Sequence, residues 1–199
     1  MIGEELAPGL RRWVVHHREW KQDVGCVLVE RDGVLCLIDP LLPSRRVAFP
    51  KRSQLHVLIS VYWHTRDAGD VLRSHRGTLW APSGARAAVA RRAEIEPRTF
   101  RPGDELPAAI EALPTSKGSE VVFWLPWLRA LVPGDVLLGA DGGGLRLCPA
   151  SWVGGDEKLE QLRARLQPLR DLPVGMVLVS HGEPVLRNAR RALARALDS

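Results

Sequence analysis

Apolar residues in the first third of the chain alternate with polar ones or gather in runs of four to six, the spacing of strands. Segments 11 to 17 (RRWVVHH), 24 to 30 (VGCVLVE) and 34 to 39 (VLCLID) read as strands, and the Asp32-Gly33 pair between the last two predicts a hairpin. Pro40 and Pro43 then mark a loop, because proline cannot donate into a strand ladder and restricts the residue before it. LHVLISV, from about 55 to 61, predicts the next strand. A helix follows over about 66 to 76, with Val71, Leu72 and His75 on one side and Gly77 as its stop. After the strand TLWAP, Ser83 is the expected N-cap of a helix reaching about residue 94.

The second half repeats this alternation. Between 98 and 147 the short runs AIEAL, EVVFWL, LRALV and GLRLC are separated by Pro, Gly and Asp turns, with Gly142-Gly143-Gly144 as a hairpin turn. Leu159, Leu162, Leu166 and Leu169 recur at helical spacing and predict a helix over about 156 to 170. VGMVLVS reads as a strand buried on both faces. It leads to a helix expected from Pro184 to Leu197, with Leu186, Ala189, Leu193 and Leu197 inward and Glu183 complementing its N-terminal dipole. Two β-rich halves, each closed by helices, predict an α/β chain in which residues 1 to 199 form a single domain, a four-layer αββα sandwich.

Composition sets the class. With 45% hydrophobic and 26% charged residues over 199, the chain has the makeup of a globular domain. No apolar run approaches the roughly 20 residues of a membrane span, and the start MIGEELAPGL lacks a basic, then apolar, leader, so a cytoplasmic location is expected with no membrane partner. Cys26, Cys36 and Cys148 lie in apolar segments without metal-type spacing and read as small buried hydrophobes. The net charge of +5 is scattered in basic pairs such as Arg11-Arg12, Arg45-Arg46 and Lys51-Arg52, so nucleic acid is disfavoured as a partner. The seven tryptophans, mostly in strands or beside proline, read as packing residues. There is no nucleophile elbow, Walker loop or dinucleotide fingerprint.

Four polar residues stand just beyond apolar strands: Asp39 in LIDP, His64 in SVYWHTRDAG, Asp135 in LVPGDVLL and His181 in LVSHGEP. Loops past strand ends carry chemistry on a rigid frame, and Asp and His are ligand types for zinc or iron. In this order the landmarks resemble the metallo-β-lactamase fold superfamily, which includes glyoxalase II-like and ribonuclease Z-like hydrolases. LIDP is similar to its strand ending in aspartate, LVPGDVLL to its TGDxLF strand, VLVSHGEP to its closing GHG, and ALPTSKGSEVVFWLP to its TPGHTPGSxxxY segment.

The resemblance implies a degenerate site. The superfamily's HxHxDH motif corresponds to Tyr62-Trp63-His64-Thr65-Arg66-Asp67, so Tyr62 replaces the first histidine, Arg66 the aspartate and Asp67 the third histidine. Thr115 stands where a later histidine is usual. Arg66 would set a permanent positive charge in place of a ligating carboxylate. What remains for a metal is Asp67, Asp135 and His181, with His64 near them. On that reading His64 and Asp135 are catalytic, His64 as a proton shuttle, while Asp39, Arg66, Thr115 and Tyr62 stand behind the ligands. Two arrangements are open: no cofactor, with Arg66 paired to Asp135 or Asp67 in place of a metal charge, or a single zinc or iron ion with water as the nucleophile. The first implies a non-catalytic binding protein for a small anionic ligand, the second a hydrolase whose cleft is lined by His64, Asp67, Asp135 and His181 and whose substrate the sequence does not name. A third, nucleic-acid processing, rests on net charge alone.

Overall fold

The computed structural model describes residues 2–44, 47, 49 and 54–199; the basic pairs Arg45-Arg46 and Lys51-Arg52 fall outside them. The first half forms β1 (Glu4–Ala7), β2 (Leu10–His17), β3 (Gln22–Arg31), β4 (Val34–Ile38), β5 (Gln54–Leu58), α1 (Ala68–Ser74), β6 (Gly77–Pro82), α2 (Arg86–Ala93) and β7 (Arg98–Phe100). These strands make a seven-stranded sheet in chain order. Pairing is antiparallel through β4 and parallel from β4 to β7, with α1 in the β5–β6 crossover and α2 in the β6–β7 crossover.

The second half contains β8 (Glu111–Pro114), β9 (Val121–Leu125), β10 (Ala130–Val132), β11 (Leu137–Ala140), β12 (Gly144–Leu147), α3 (Ala150–Val153), α4 (Asp156–Leu166), β13 (Met176–Val177) and α5 (Ala189–Asp198). Its main sheet runs β13-β10-β9-β8, beside the separate β11-β12 hairpin. The Gly142-Gly143-Gly144 turn is the hairpin turn expected.

Strand alternation builds the layers. Val27, Val29, Ile38 and Leu58 from one sheet meet Val121, Phe123 and Leu125 from the other. The intervening Cys26, Leu28, Leu37 and Val57 turn outward, where Val71 of α1 and Val89 of α2 cover them. Val122 and Trp124 turn the opposite way and pack against Leu162 and Leu166 of α4 and Leu193 and Leu197 of α5. The result is the αββα sandwich expected. Cys26, Cys36 and Cys148 are free and buried, and burial pushes their thiols up to about 11, 12 and 11, which leaves them inert. No helix among the described residues is long and apolar enough to cross a membrane.

Several expected boundaries move. The strand read over 55 to 61 ends at Leu58, and a 3₁₀ turn at Tyr62–Thr65 precedes a helix that starts only at Ala68. Ser83 lies within its own 3₁₀ turn and makes no capping bond. The closing strand shortens to two residues, and the last helix begins at Ala189 rather than Pro184. The cause of the late start is a backbone bridge: Val177 and Val185 exchange hydrogen bonds of 2.8 and 2.9 Å, which holds Val185 extended. Leu186, expected inward, is therefore 45% exposed, and Glu183 lies on a loop away from any helix dipole.

One end of the sandwich gathers the loops that leave β4, β5, β10 and β13, and the last is fixed by the first sheet and by the β11-β12 hairpin. Gly25 donates to the Ser180 carbonyl at 2.7 Å and Gly139 of β11 to the His181 carbonyl at 2.9 Å. A Cβ on Gly139 would lie 2.5 Å from the Glu183 carbonyl oxygen, so only glycine permits this approach. Gly139→Ala should destabilise the chain by about 1–3 kcal/mol through overpacking; thermal unfolding with an unchanged midpoint would contradict this seating of the loop.

Candidate metal centre

Asp39 follows β4 with a left-handed φ of 51°, and its carboxylate turns back into the protein. Oδ1 accepts the Ser60 amide at 2.8 Å; Oδ2 accepts the Ser60 hydroxyl and lies 2.9 Å from His64 Nδ1. With its proton on Nδ1, His64 presents Nε2 on the opposite side of the ring, 3.1 Å from Asp135 Oδ1. His181 Nε2 approaches the same oxygen at 3.4 Å. All three residues are buried, His64 completely.

The sequence-predicted residues divide on this geometry. His64, Asp135 and His181 come together, one ligand atom from each lying within 4.8 Å of the others. Asp67 stays out of that group: the 3₁₀ turn carries it to the start of α1, where its carboxylate accepts the Leu42 amide at 2.7 Å. Arg66 pairs with neither Asp135 nor Asp67. Its guanidinium donates to the Asp39 carbonyl at 2.9 Å and the Ser180 hydroxyl at 2.8 Å, and lies 5.4 Å from the centre of the Trp20 ring. Thr115 closes its own loop by donating to the Glu120 carbonyl at 3.0 Å, and Tyr62 packs edge-on against Trp63 at 4.8 Å. Asp39 alone of the four supporting residues touches a member of the group through its side chain. The His64 ring has no exposure and a carboxylate beside each nitrogen.

Other contributors were not anticipated. The Trp63 indole N–H donates to Asp135 Oδ2 at 2.6 Å. Trp20, stacked on His17 at 3.9 Å, covers His64 and His181 at 6.0 and 6.2 Å, and Trp152 meets His181 at 6.0 Å. Seven tryptophans in the sequence invited a packing role; Trp13 and Trp124 lie in core clusters, but these three ring the centre. Buried Glu120 is hydrogen-bonded to the Asp135 backbone, and burial together with the Asp135 charge pushes its carboxyl up to about 7. A burial signal for Glu120 was available: it opens the apolar run EVVFWL.

A cleft of about 1040 Å³ opens alongside, with Trp20, Trp63 and Arg66 in its wall. Of the four residues expected to line it, Asp67 does; the other three lie buried against the tryptophans that do. Burial and the Arg66 charge oppose protonation of His64, but Asp135 and Asp39 outweigh them and its pKa is raised. Burial would raise that of Asp135, yet His64 and His181 hold it well below the usual carboxylate range.

The donor set suits a metal ion. Asp135 Oδ1 and His64 Nε2 are buried without a hydrogen-bond partner. Adjacent ligands of a tetrahedral zinc ion bound at about 2.0–2.1 Å lie roughly 3.3 Å apart. The 3.1 and 3.4 Å contacts at Oδ1 bracket that separation. Two imidazoles and a carboxylate are also the composition of a three-ligand catalytic zinc site.

No family model matches the sequence, and no curated protein does. Solved structures do match. A metallo-β-lactamase from Pontibacter korlensis is 12% identical with a TM-score of 0.71, and the match covers 98% of each chain. A metallo-β-lactamase family protein from Thermus thermophilus is 17% identical with a TM-score of 0.68, over 98% of this chain and 80% of that one. A β-lactamase domain protein from Burkholderia ambifaria is 17% identical with a TM-score of 0.68, over 97% and 74%. Nearly end to end, and with a His-Asp-His group at the loop end of its sheets, the chain has the metallo-β-lactamase fold.

Proposed function

We propose that this chain is a hydrolase working with one metal ion, zinc or iron, held by His64, Asp135 and His181. The observation that carries this reading is the buried Asp135 oxygen facing two imidazole nitrogens without a hydrogen bond to satisfy it. When bound, a zinc-class ion supplies Lewis acidity and activates water near neutral pH.

The chain's own residues set up that chemistry. Asp39 holds the His64 proton on Nδ1 and so leaves Nε2 with its lone pair toward Asp135. Trp20 and Trp152 keep bulk water from the group, which strengthens every charge interaction within it. The adjoining cleft is large enough for a small-molecule substrate, and Arg66 in its wall supports an anionic one.

The competing reading, a non-catalytic binding protein in which Arg66 replaces the metal charge, has less support, because the guanidinium pairs with neither Asp135 nor Asp67 and donates to the Asp39 carbonyl and the Ser180 hydroxyl. Without a metal, the charges of Asp135 and Asp39 favour a proton on His64. Metal and proton then compete for one nitrogen, and metal uptake releases the proton.

Elemental analysis of chain purified without chelator should find close to one equivalent of zinc or iron, lost in His181→Ala; absence of metal even after zinc addition would sink the proposal. Asp67→Ala should retain its metal while losing about 1–2 kcal/mol of stability, the cost of leaving a backbone donor without its acceptor. Loss of metal in that variant would restore Asp67 to the ligand set.

A further inference from the structure

The two oxygens of Asp135 live in different surroundings. Oδ1 faces His64 and His181 and accepts no hydrogen bond, whereas Oδ2 receives the Trp63 indole N–H at 2.6 Å. An indole nitrogen can only donate. At that distance, and toward an ionised carboxylate, the bond is of the short charge-assisted kind. Trp63 is itself fixed, with its ring edge-on to Tyr62 at 4.8 Å and the next residue, His64, locked to Asp39. The carboxylate plane is thereby set, with one oxygen already accepting a hydrogen bond.

We infer that Trp63 is a positioning residue that holds the Asp135 carboxylate with Oδ1 toward the two imidazoles, so that Asp135 binds metal through that one oxygen. The inference rests on the metal-binding reading above and adds to it a residue that touches no ion. A carboxylate free to turn could chelate one ion through both oxygens; the indole N–H opposes that rotation.

Trp63→Phe keeps an aromatic ring and deletes the N–H. Compared with the unaltered chain, it should bind zinc about 10- to 100-fold more weakly, the usual effect of losing a hydrogen-bond partner of a ligand. Its cobalt-substituted form should show weaker visible bands, as Asp135 becomes free to use both oxygens and the coordination number rises. Zinc affinity and a cobalt spectrum both identical to those of the unaltered chain would overturn the inference and leave Trp63 a packing residue. A second measurement needs no variant: the Trp63 indole proton, followed by NMR during zinc titration of the unaltered chain, should stay far downfield and slow to exchange. An upfield return on metal binding would mean that Oδ2 had left the indole, and would equally overturn it. If neither protein takes up metal, the metal reading falls first and this inference with it.

Discussion

Everything at the loop end of this molecule is arranged around one buried negative charge. A carboxylate 6% exposed is costly unless cations or donors surround it, and Asp135 is given two imidazoles and an indole N–H within 3.4 Å. None of the three comes from its own turn. Their arrangement makes demands on the fold. His64 must be oriented, so the Asp39 carboxylate is committed entirely to Ser60 and His64. His181 must be held on a loop without regular structure, so backbone groups from β3 and β11 grip it from either side.

Arg66 illustrates how the surroundings answer those demands. Its backbone takes φ 39° and ψ −120°, a conformation that costs a non-glycine residue about 1–3 kcal/mol and persists only where other contacts over-determine it. Here the guanidinium supplies them by tying the loop after β4, through the Asp39 carbonyl, to the loop after β13, through Ser180, beneath the Trp20 ring. The side chain whose position suggested a substitute for a metal ion serves as a brace between two loops. Its charge still reaches His64, where it opposes protonation.

The layered fold was legible because strand and helix periods survive in LIDP, EVVFWL and the Leu159 to Leu169 series whatever happens in the loops. His64, Asp135 and His181 were legible for a related reason, since each lies in the loop that follows an apolar run of the sequence. Asp67 was placed with the ligands by its position in the motif, but only two residues separate it from His64, the chain leaves the 3₁₀ turn between them, and the amide of Leu42 captures its carboxylate. Trp63 was illegible in principle, because its partner lies 72 residues onward and nothing in a local window marks an indole N–H as a donor to a carboxylate. The late start of α5 has a similar origin: a bridge between Val177 and Val185 overrides the local preference of Pro184 for a first helical turn.

His64 comes from the first sheet's half of the chain, Asp135 and His181 from the second, and neither half holds the group alone. An ion bound there would act as a clasp across the sandwich, present only when both sheets have closed. Ligands that bind only the folded state stabilise it in proportion to the logarithm of their excess, by about 2.7 kcal/mol at a hundred times the dissociation constant. The junction that orders the chemistry is thus also where the supply of an ion would set how firmly the two halves of the chain stay together.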